Sequence, residues 1–517
     1  MTHAADVAVG EAAVPGHLNQ HSEMSTGELK GRTLRGGFAK VCAQAASFVL
    51  RVGSLMVLAR LLDPGDFGIV GMVTVVTGVF GLFKDAGLAM VTVQRPTISE
   101  EQLSTLFWVN LAVGAVLGLL TVAIAPVLVA FYSEPRLLWV TIVLGAGFVF
   151  NAAGVQHSAL LQRQMRFTAL SSIEVGSLIV SIAVAITLAV SGYRYWALVG
   201  MAITLPAAST LCFWLTSRWM PGRPGHDAGI RSMMRFGGAV TLNSLIVYVA
   251  YNVDKLLLGR LLGAEALGIY GRAYQLINIP TENLNAAVGG VAVSALSRLQ
   301  NDPRRFRGYF LKGYSLVLAL TIPVTVACAL FASDIIVVLL GPKWRDSVVI
   351  FRLLAPTILT FALINPLAWL LFSSGRVGRS MKMALVIAPV VILGYIVGLP
   401  YGSSGVALGY STAMALLAVP MIAWATHGSV ISLRDVLTAV RAPFLSAVVS
   451  TIPSAAVFVL CSGWTPLPRL LLGGTVLLTT YLLMLLFGTG QREFYSNLLR
   501  DLRGATAGTA PEPTPAP

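Results

Sequence analysis

The chain has 517 residues, of which 56% are hydrophobic and 11% charged, with a net charge of +14. Soluble domains carry about 25% charged residues, so this composition excludes an ordinary soluble protein; its apolar residues suffice for roughly fourteen helices of about 20 residues each. The longest polar stretches, 1–37, 217–236, 296–313 and 489–517, leave no room for a soluble catalytic domain. The expected fold class is therefore all-α, a polytopic membrane protein. Its positive charge belongs to loops on one membrane face, not to a nucleic-acid surface.

In chain order, a cytoplasmic tail at 1–37 precedes six spans at 38–59, 67–83, 106–131, 137–156, 168–190 and 195–216, which form an N-terminal lobe over 38–216. A cytoplasmic loop, 217–236, leads to six more at 237–258, 266–295, 311–332, 349–372, 382–399 and 404–426, a C-terminal lobe over 237–426. Two further spans, 440–461 and 468–488, lie within 427–488, and the Pro- and Ala-rich tail 489–517 is expected to be cytoplasmic and disordered. Cys42, Cys212, Cys328 and Cys461 form no CxxC pair and read as small apolar residues. All six histidines fall outside these spans, so neither a buried histidine relay nor a metal site is expected, and no cofactor is called for.

The alternation of Lys and Arg tests the map. Loops and span ends on the side of the N-terminus hold 25 of the 36 Lys and Arg, those on the opposite side nine, and Arg51 and Arg272 lie deeper inside spans. By the positive-inside rule both termini face the cytoplasm. A shift of 200 residues lays the first span on the seventh. Leu58, Arg60, Leu61 and Leu62 match Leu258, Arg260, Leu261 and Leu262, and Gly68, Ile69 and Gly71 match Gly268, Ile269 and Gly271. Seven of the fourteen positions in 58–71 are thus identical to 258–271 without a gap. An even number of spans separates the copies, so the repeat is parallel: two six-helix lobes around a central cavity, an alternating-access plan, with a C-terminal helix pair added.

The string ARLLDPGDFGIVGMVTVVTGVFGLFKDAGLAMVTVQR resembles the first hairpin of bacterial polysaccharide exporters of the Wzx/PST group. That group belongs to the multidrug/oligosaccharidyl-lipid/polysaccharide flippase superfamily. SEEQLSTLFWVN, VQHSALLQRQMRF, LGIYGRAYQL, SALSRLQNDPRRFRGYF and LGPKWRDSVVIFRLLAP are similar to its connecting segments, and the likeness runs over roughly 35–400. The resemblance implies export of an undecaprenyl-diphosphate-linked oligosaccharide across the bacterial inner membrane for lipopolysaccharide or exopolysaccharide synthesis. It implies membrane lipids and a polysaccharide polymerase or export machinery as partners, and a proton or sodium gradient as the driving force. A drug/cation antiporter of the same superfamily is the alternative, expected to have a predominantly acidic cavity. A membrane polymerase or ligase is the alternative from another class, but the longest outer segment, 333–348, is short for one. No GxxxxGK[ST] loop is present, and no enzymatic activity is expected.

A lipid diphosphate needs fixed cations and hydrogen-bonding groups, and charges placed within spans are costly enough to be functional candidates. Gln44, Ser47, Arg51 and Ser54 share one helix face, with Arg51 as anion contact or, alternatively, as a structural partner of Glu174. Ser244, Tyr248, Tyr251 and Lys255 form the corresponding stripe on the seventh span. Members of the group often carry Arg-Asn-x-Asp here, whereas this chain reads Tyr251, Asn252, Val253 and Asp254, so a cavity arginine does not carry over. Arg272 is a second phosphate contact or an interfacial anchor. In the eighth span Pro280 frees a carbonyl near Glu282, Asn283 and Asn285, candidates with Glu174 for the coupling ion. Lys84 and Asp85, adjacent opposite charges before a glycine, read as a turn.

Overall fold

The computed structural model describes residues 26–84, 88–94, 98–225, 245, 248–497 and 500. Eleven helical stretches among them are long and apolar enough to cross a membrane, one of which, Gly378–Thr426, runs over two helices. Of the expected seventh span, 237–258, residues 237–244, 246 and 247 lie outside the described residues. The chain divides into two compact units, one of Met1–Leu62 with Met72–Leu245 and one of Asp63–Gly71 with Ile246–Pro517.

The first unit contains α1 (Thr26–Leu61), most of α2 (Pro64–Gly81), α3 (Leu88–Gln94), α4 (Glu100–Tyr132), α5 (Leu137–Arg163), α6 (Phe167–Val190) and α7 (Trp196–Ser217). Between helices in lipid, hydrophobic burial offers little preference, so small residues that let backbones approach govern the packing. A Cβ on Gly118 would stand 3.0 Å from the Gly145 carbonyl oxygen, and one on Gly145 3.1 Å from that of Gly118, which seats α4 against α5. Hydrogen bonds fix the ends. Ser99 caps α4 in a capping box with Gln102, and the Ser104 and Thr105 hydroxyls accept from the Gly222 and Gly225 amides. The segment following α7 is thereby held across the start of α4.

α5 runs past its expected end at 156 to Arg163, and His157 is fully buried. This corrects the placement of all histidines outside the spans: the polar run after 156 continues the helix because its side chains find partners. His157 Nδ1 lies 2.8 Å from Ser217 Oγ, and its ring stands 4.4 Å from Trp214 and 5.2 Å from Trp219. Arg163 donates to the Thr92 carbonyl at 3.0 Å, tying α3 to α5.

The second unit contains α8 (Val253–Arg298), α9 (Pro303–Leu330), α10 (Ala332–Leu339), α11 (Ser347–Leu354), α12 (Pro356–Ser373), α13 (Val377–Gly398), α14 (Gly402–Thr426), α15 (Leu433–Leu460) and α16 (Pro466–Leu483). α8 is not among the apolar stretches, its second half being interrupted by Asn278, Thr281, Glu282, Asn283 and Asn285. Its discontinuity falls at Gly263, where φ is 84°, while Pro280 sits inside continuous helix. Only glycine enters that backbone region at little cost. The break at 263 lies 200 residues beyond the turn joining α1 to α2, so the sequence repeat is also a repeat of shape.

The two repeat segments meet within this unit. A Cβ on Gly68 would stand 1.7 Å from the Ala264 carbonyl oxygen, and one on Gly268 1.9 Å from that of Pro64. The contact is reciprocal between equivalent positions. Phe67 packs edge-on against buried Trp344 with ring centroids 5.4 Å apart, and Lys343 Nζ lies 3.0 Å from Asp63 Oδ1.

A buried ion pair joins α10 to α16. Asp334 is 0% exposed and receives two donors from Arg469, Nε at 2.9 Å and Nη2, while the guanidinium lies 4.9 Å over the Phe458 ring. Removing one member of a buried pair strands the other, at a cost of about 3 to 5 kcal/mol. Arg469→Ala is therefore expected to lower the midpoint of thermal unfolding in detergent clearly, and Asp334→Leu combined with Arg469→Met to recover most of it. A double variant no better than Arg469→Ala would mean that the pair contributes more than mutual neutralisation.

Candidate functional site

Each unit holds a cavity. That of the first unit, about 740 Å³, lies among α1, α2, α5, α6 and α7 and is lined by Lys40, Arg51, Thr74, Thr77, Lys84, Asn151, Gln162, Ser171, Glu174 and Ser209. Three cations face one carboxylate. Among the described residues none of the Lys40, Arg51 and Lys84 side chains has an ion-pair or hydrogen-bond partner. Their charge is thus available to an anion, and the hydroxyls and amides around them can complete its hydrogen bonds.

Arg51 and Glu174 line this cavity together, with no ion pair between them. The rest of the expected stripe does not join them. Ser54 is 6% exposed and its hydroxyl donates to the Arg51 carbonyl at 2.9 Å; Ser47 is 2% exposed, and Gln44 is exposed but lines neither cavity. Short side chains on a packed face are absorbed by helix contacts, while a long guanidinium reaches past them. Lys40, which sequence reasoning passed over, precedes Arg51 by eleven residues, close to three full turns, so helical spacing could have found it. Lys84 was read as part of a turn; its side chain lines the cavity, and Asp85 lies outside the described residues.

The second unit's cavity, about 580 Å³, is lined by Tyr251, Asn252, Lys255, Tyr274, Asn278, Thr281, Glu282, Phe361, Asn365 and Ser380. Tyr251 and Asn252 form a turn, and α8 begins after it, so the expected helix 237–258 is broken at this point. Tyr251 and Lys255 reach the cavity, Tyr248 does not line it, and Ser244 lies outside the described residues. Lys255 Nζ donates to Asn252 Oδ1 at 2.8 Å and stands 4.8 Å over the Tyr274 ring. Asp254 turns away, fully buried, and accepts the Tyr270 hydroxyl at 2.8 Å. Glu282 faces the cavity, whereas the side chains of Asn283 and Asn285 lie outside the described residues. Arg272 lines neither cavity: its guanidinium lies 4.5 Å over the Phe67 ring and donates to Gln275.

Residues 57–349, more than half of the chain, match the family described as polysaccharide biosynthesis protein. The chain belongs to that family. It is 28% identical over 394 residues to the lipopolysaccharide biosynthesis protein WzxC of Escherichia coli (strain K12), covering 74% of this chain and 78% of that protein. It is 29% identical over 297 residues to the teichuronic acid biosynthesis protein TuaB of Bacillus subtilis (strain 168), covering 56% of this chain and 61% of TuaB. Among solved structures, the fold is similar to the lipid II flippase MurJ in an inward closed conformation, with TM-score 0.68, 14% identity and coverage of 89% of this chain and 99% of that one. It is also similar to a multidrug resistance MATE family transporter of the MOP superfamily, with TM-score 0.58, 13% identity and coverage of 74% and 94%. This member of the polysaccharide biosynthesis family is accordingly a multi-span, all-helical membrane protein with the fold of those transporters.

Proposed function

We propose that the protein flips an undecaprenyl-diphosphate-linked oligosaccharide across the bacterial inner membrane by alternating access, supplying lipopolysaccharide or exopolysaccharide synthesis. The observation that carries this reading is the cationic cavity of the first unit, where Lys40, Arg51 and Lys84 outnumber Glu174 in a space set among helices apolar enough to span lipid. A diphosphate in such a site replaces water by fixed ammonium and guanidinium donors. The names borne by WzxC, TuaB and MurJ agree with a lipid-linked glycan as cargo. In this reading both termini are cytoplasmic, 38–216 and 237–426 act as the two lobes, and a polymerase or export complex receives the product. Glu282, with Glu174, is the carboxylate on which a proton or sodium gradient would act.

The test is reconstitution into liposomes with a fluorescent undecaprenyl-diphosphate oligosaccharide. Protein-dependent movement, slowed by a protonophore or by collapse of a sodium gradient, is the expected result. No movement of any lipid-linked sugar, together with efflux of a cationic dye, would overturn the reading in favour of the antiporter.

A further inference from the structure

The two cavities differ in chemistry. In the first, three cations have no partner among the described residues. In the second, Lys255 is engaged by Asn252 and by the face of Tyr274, and Glu282 contributes the opposite charge to the same lining. Besides Glu282, what the lining offers is neutral: the rings of Tyr251 and Phe361, centroids 6.2 Å apart and tilted by 46°, and the side-chain amides of Asn365 and of Asn278, the latter also hydrogen-bonded to the Tyr274 hydroxyl. Asn365 is half-buried and has no hydrogen-bond partner among the described residues.

A sugar ring presents an apolar face of C–H groups and an edge of hydroxyls that both donate and accept. Aromatic faces match the first and amides match the second, because an amide offers two donors and an acceptor within one group. A diphosphate would gain little from this lining, since its one cation is already coordinated. A pocket of apolar walls with a few placed polar groups is the usual form of a small-molecule site.

We propose that the cavity of the second unit is a carbohydrate site, recognising the uncharged sugar part of the cargo through Tyr251, Phe361, Asn278 and Asn365. This assignment rests on the flippase reading and adds to it a residue set that discriminates between glycans. The affinity for the lipid diphosphate and the preference for a sugar are then separable by mutation.

The test measures binding to the purified full chain in detergent with four probes: undecaprenyl diphosphate bare, and carrying one glucose, galactose or N-acetylglucosamine. At least one sugar-bearing lipid is expected to bind about fivefold tighter than the bare lipid, the gain of one or two neutral hydrogen bonds. Phe361→Leu and Asn365→Ala are expected to remove that gain while leaving bare-lipid affinity unchanged, and Phe361→Tyr, which keeps the ring face, to retain it. A gain that persists in both variants, or no gain with any of the three sugars, overturns the carbohydrate site. Failure of the wild-type protein to bind any of the four lipids overturns the flippase reading itself, and the carbohydrate site with it. Loss of bare-lipid binding in Phe361→Leu and Asn365→Ala would mean that the cavity serves the diphosphate, which also refutes the proposal.

Discussion

The Gly268→Val variant is expected to lose both thermal stability and translocation. Gly268 meets the Pro64 backbone, and the first atom of any side chain would stand 1.9 Å from that carbonyl oxygen. A neighbouring side chain could rotate aside, but a helix backbone cannot, so the two segments must separate by more than an ångström. Overpacking of this kind costs about 1 to 3 kcal/mol, occasionally more, and valine's branching at Cβ puts it at the upper end. Gly68→Val meets the Ala264 carbonyl in the same way, and its effect is expected to be of equal size. The two should not add: once either substitution has parted the segments, the second finds the space already made. Thermal unfolding of the two single variants and the double variant measures this directly. Additive losses would mean that the two glycines make independent contacts.

Arg51→Ala is expected to slow translocation of the lipid-linked oligosaccharide by about 10- to 100-fold, the loss of one charge-assisted contact worth roughly 1.5 to 3 kcal/mol. The guanidinium lines the cavity with no partner of its own among the described residues, so truncation leaves no buried carboxylate exposed to the penalty of broken pairing. The fold should therefore persist, with an unchanged unfolding midpoint. Arg51→Lys is expected to recover part of the rate, since a point charge survives although the forked geometry does not. A parallel fall in stability and transport would reassign Arg51 to a structural role.

Much of this was legible in the chain because two signals are local and dense. Apolar runs announce spans, and the seven identities between 58–71 and 258–271 mark the turn that recurs at Gly263. Arg51 and Glu174, or Tyr251, Lys255 and Glu282, could be picked out because charged or aromatic residues are conspicuous in apolar helices, and each set lines one cavity. The misreadings have physical causes. Whether Pro280 breaks α8 was not legible, because a proline can lie within continuous helix, and Gly263, where the break falls, adopts a backbone angle that composition does not reveal. His157 looked like a loop residue because the partners that bury it, Ser217, Trp214 and Trp219, lie some sixty residues away. The pairing of Asp334 with Arg469 spans 135 positions and leaves no local trace. Spacing along one helix also cannot tell a serine that lines a cavity from one that is packed away, which is how Ser47 and Ser54 came to stand beside Arg51.

The aromatic knot around His157 gives the protein an optical bias. Trp108, Trp214 and Trp219, three of its nine tryptophans, all lie within about 6 Å of Phe107, ring centre to ring centre. Intrinsic fluorescence therefore draws on this corner of the first unit beyond its share of the chain, and the His157 imidazole, 4.4 Å from the Trp214 ring and tilted by 33°, is close enough to quench part of that emission. As the knot loosens, emission should rise before it shifts to the red. A melt followed by fluorescence and one followed by circular dichroism will coincide only if the corner and the helices as a whole come apart together.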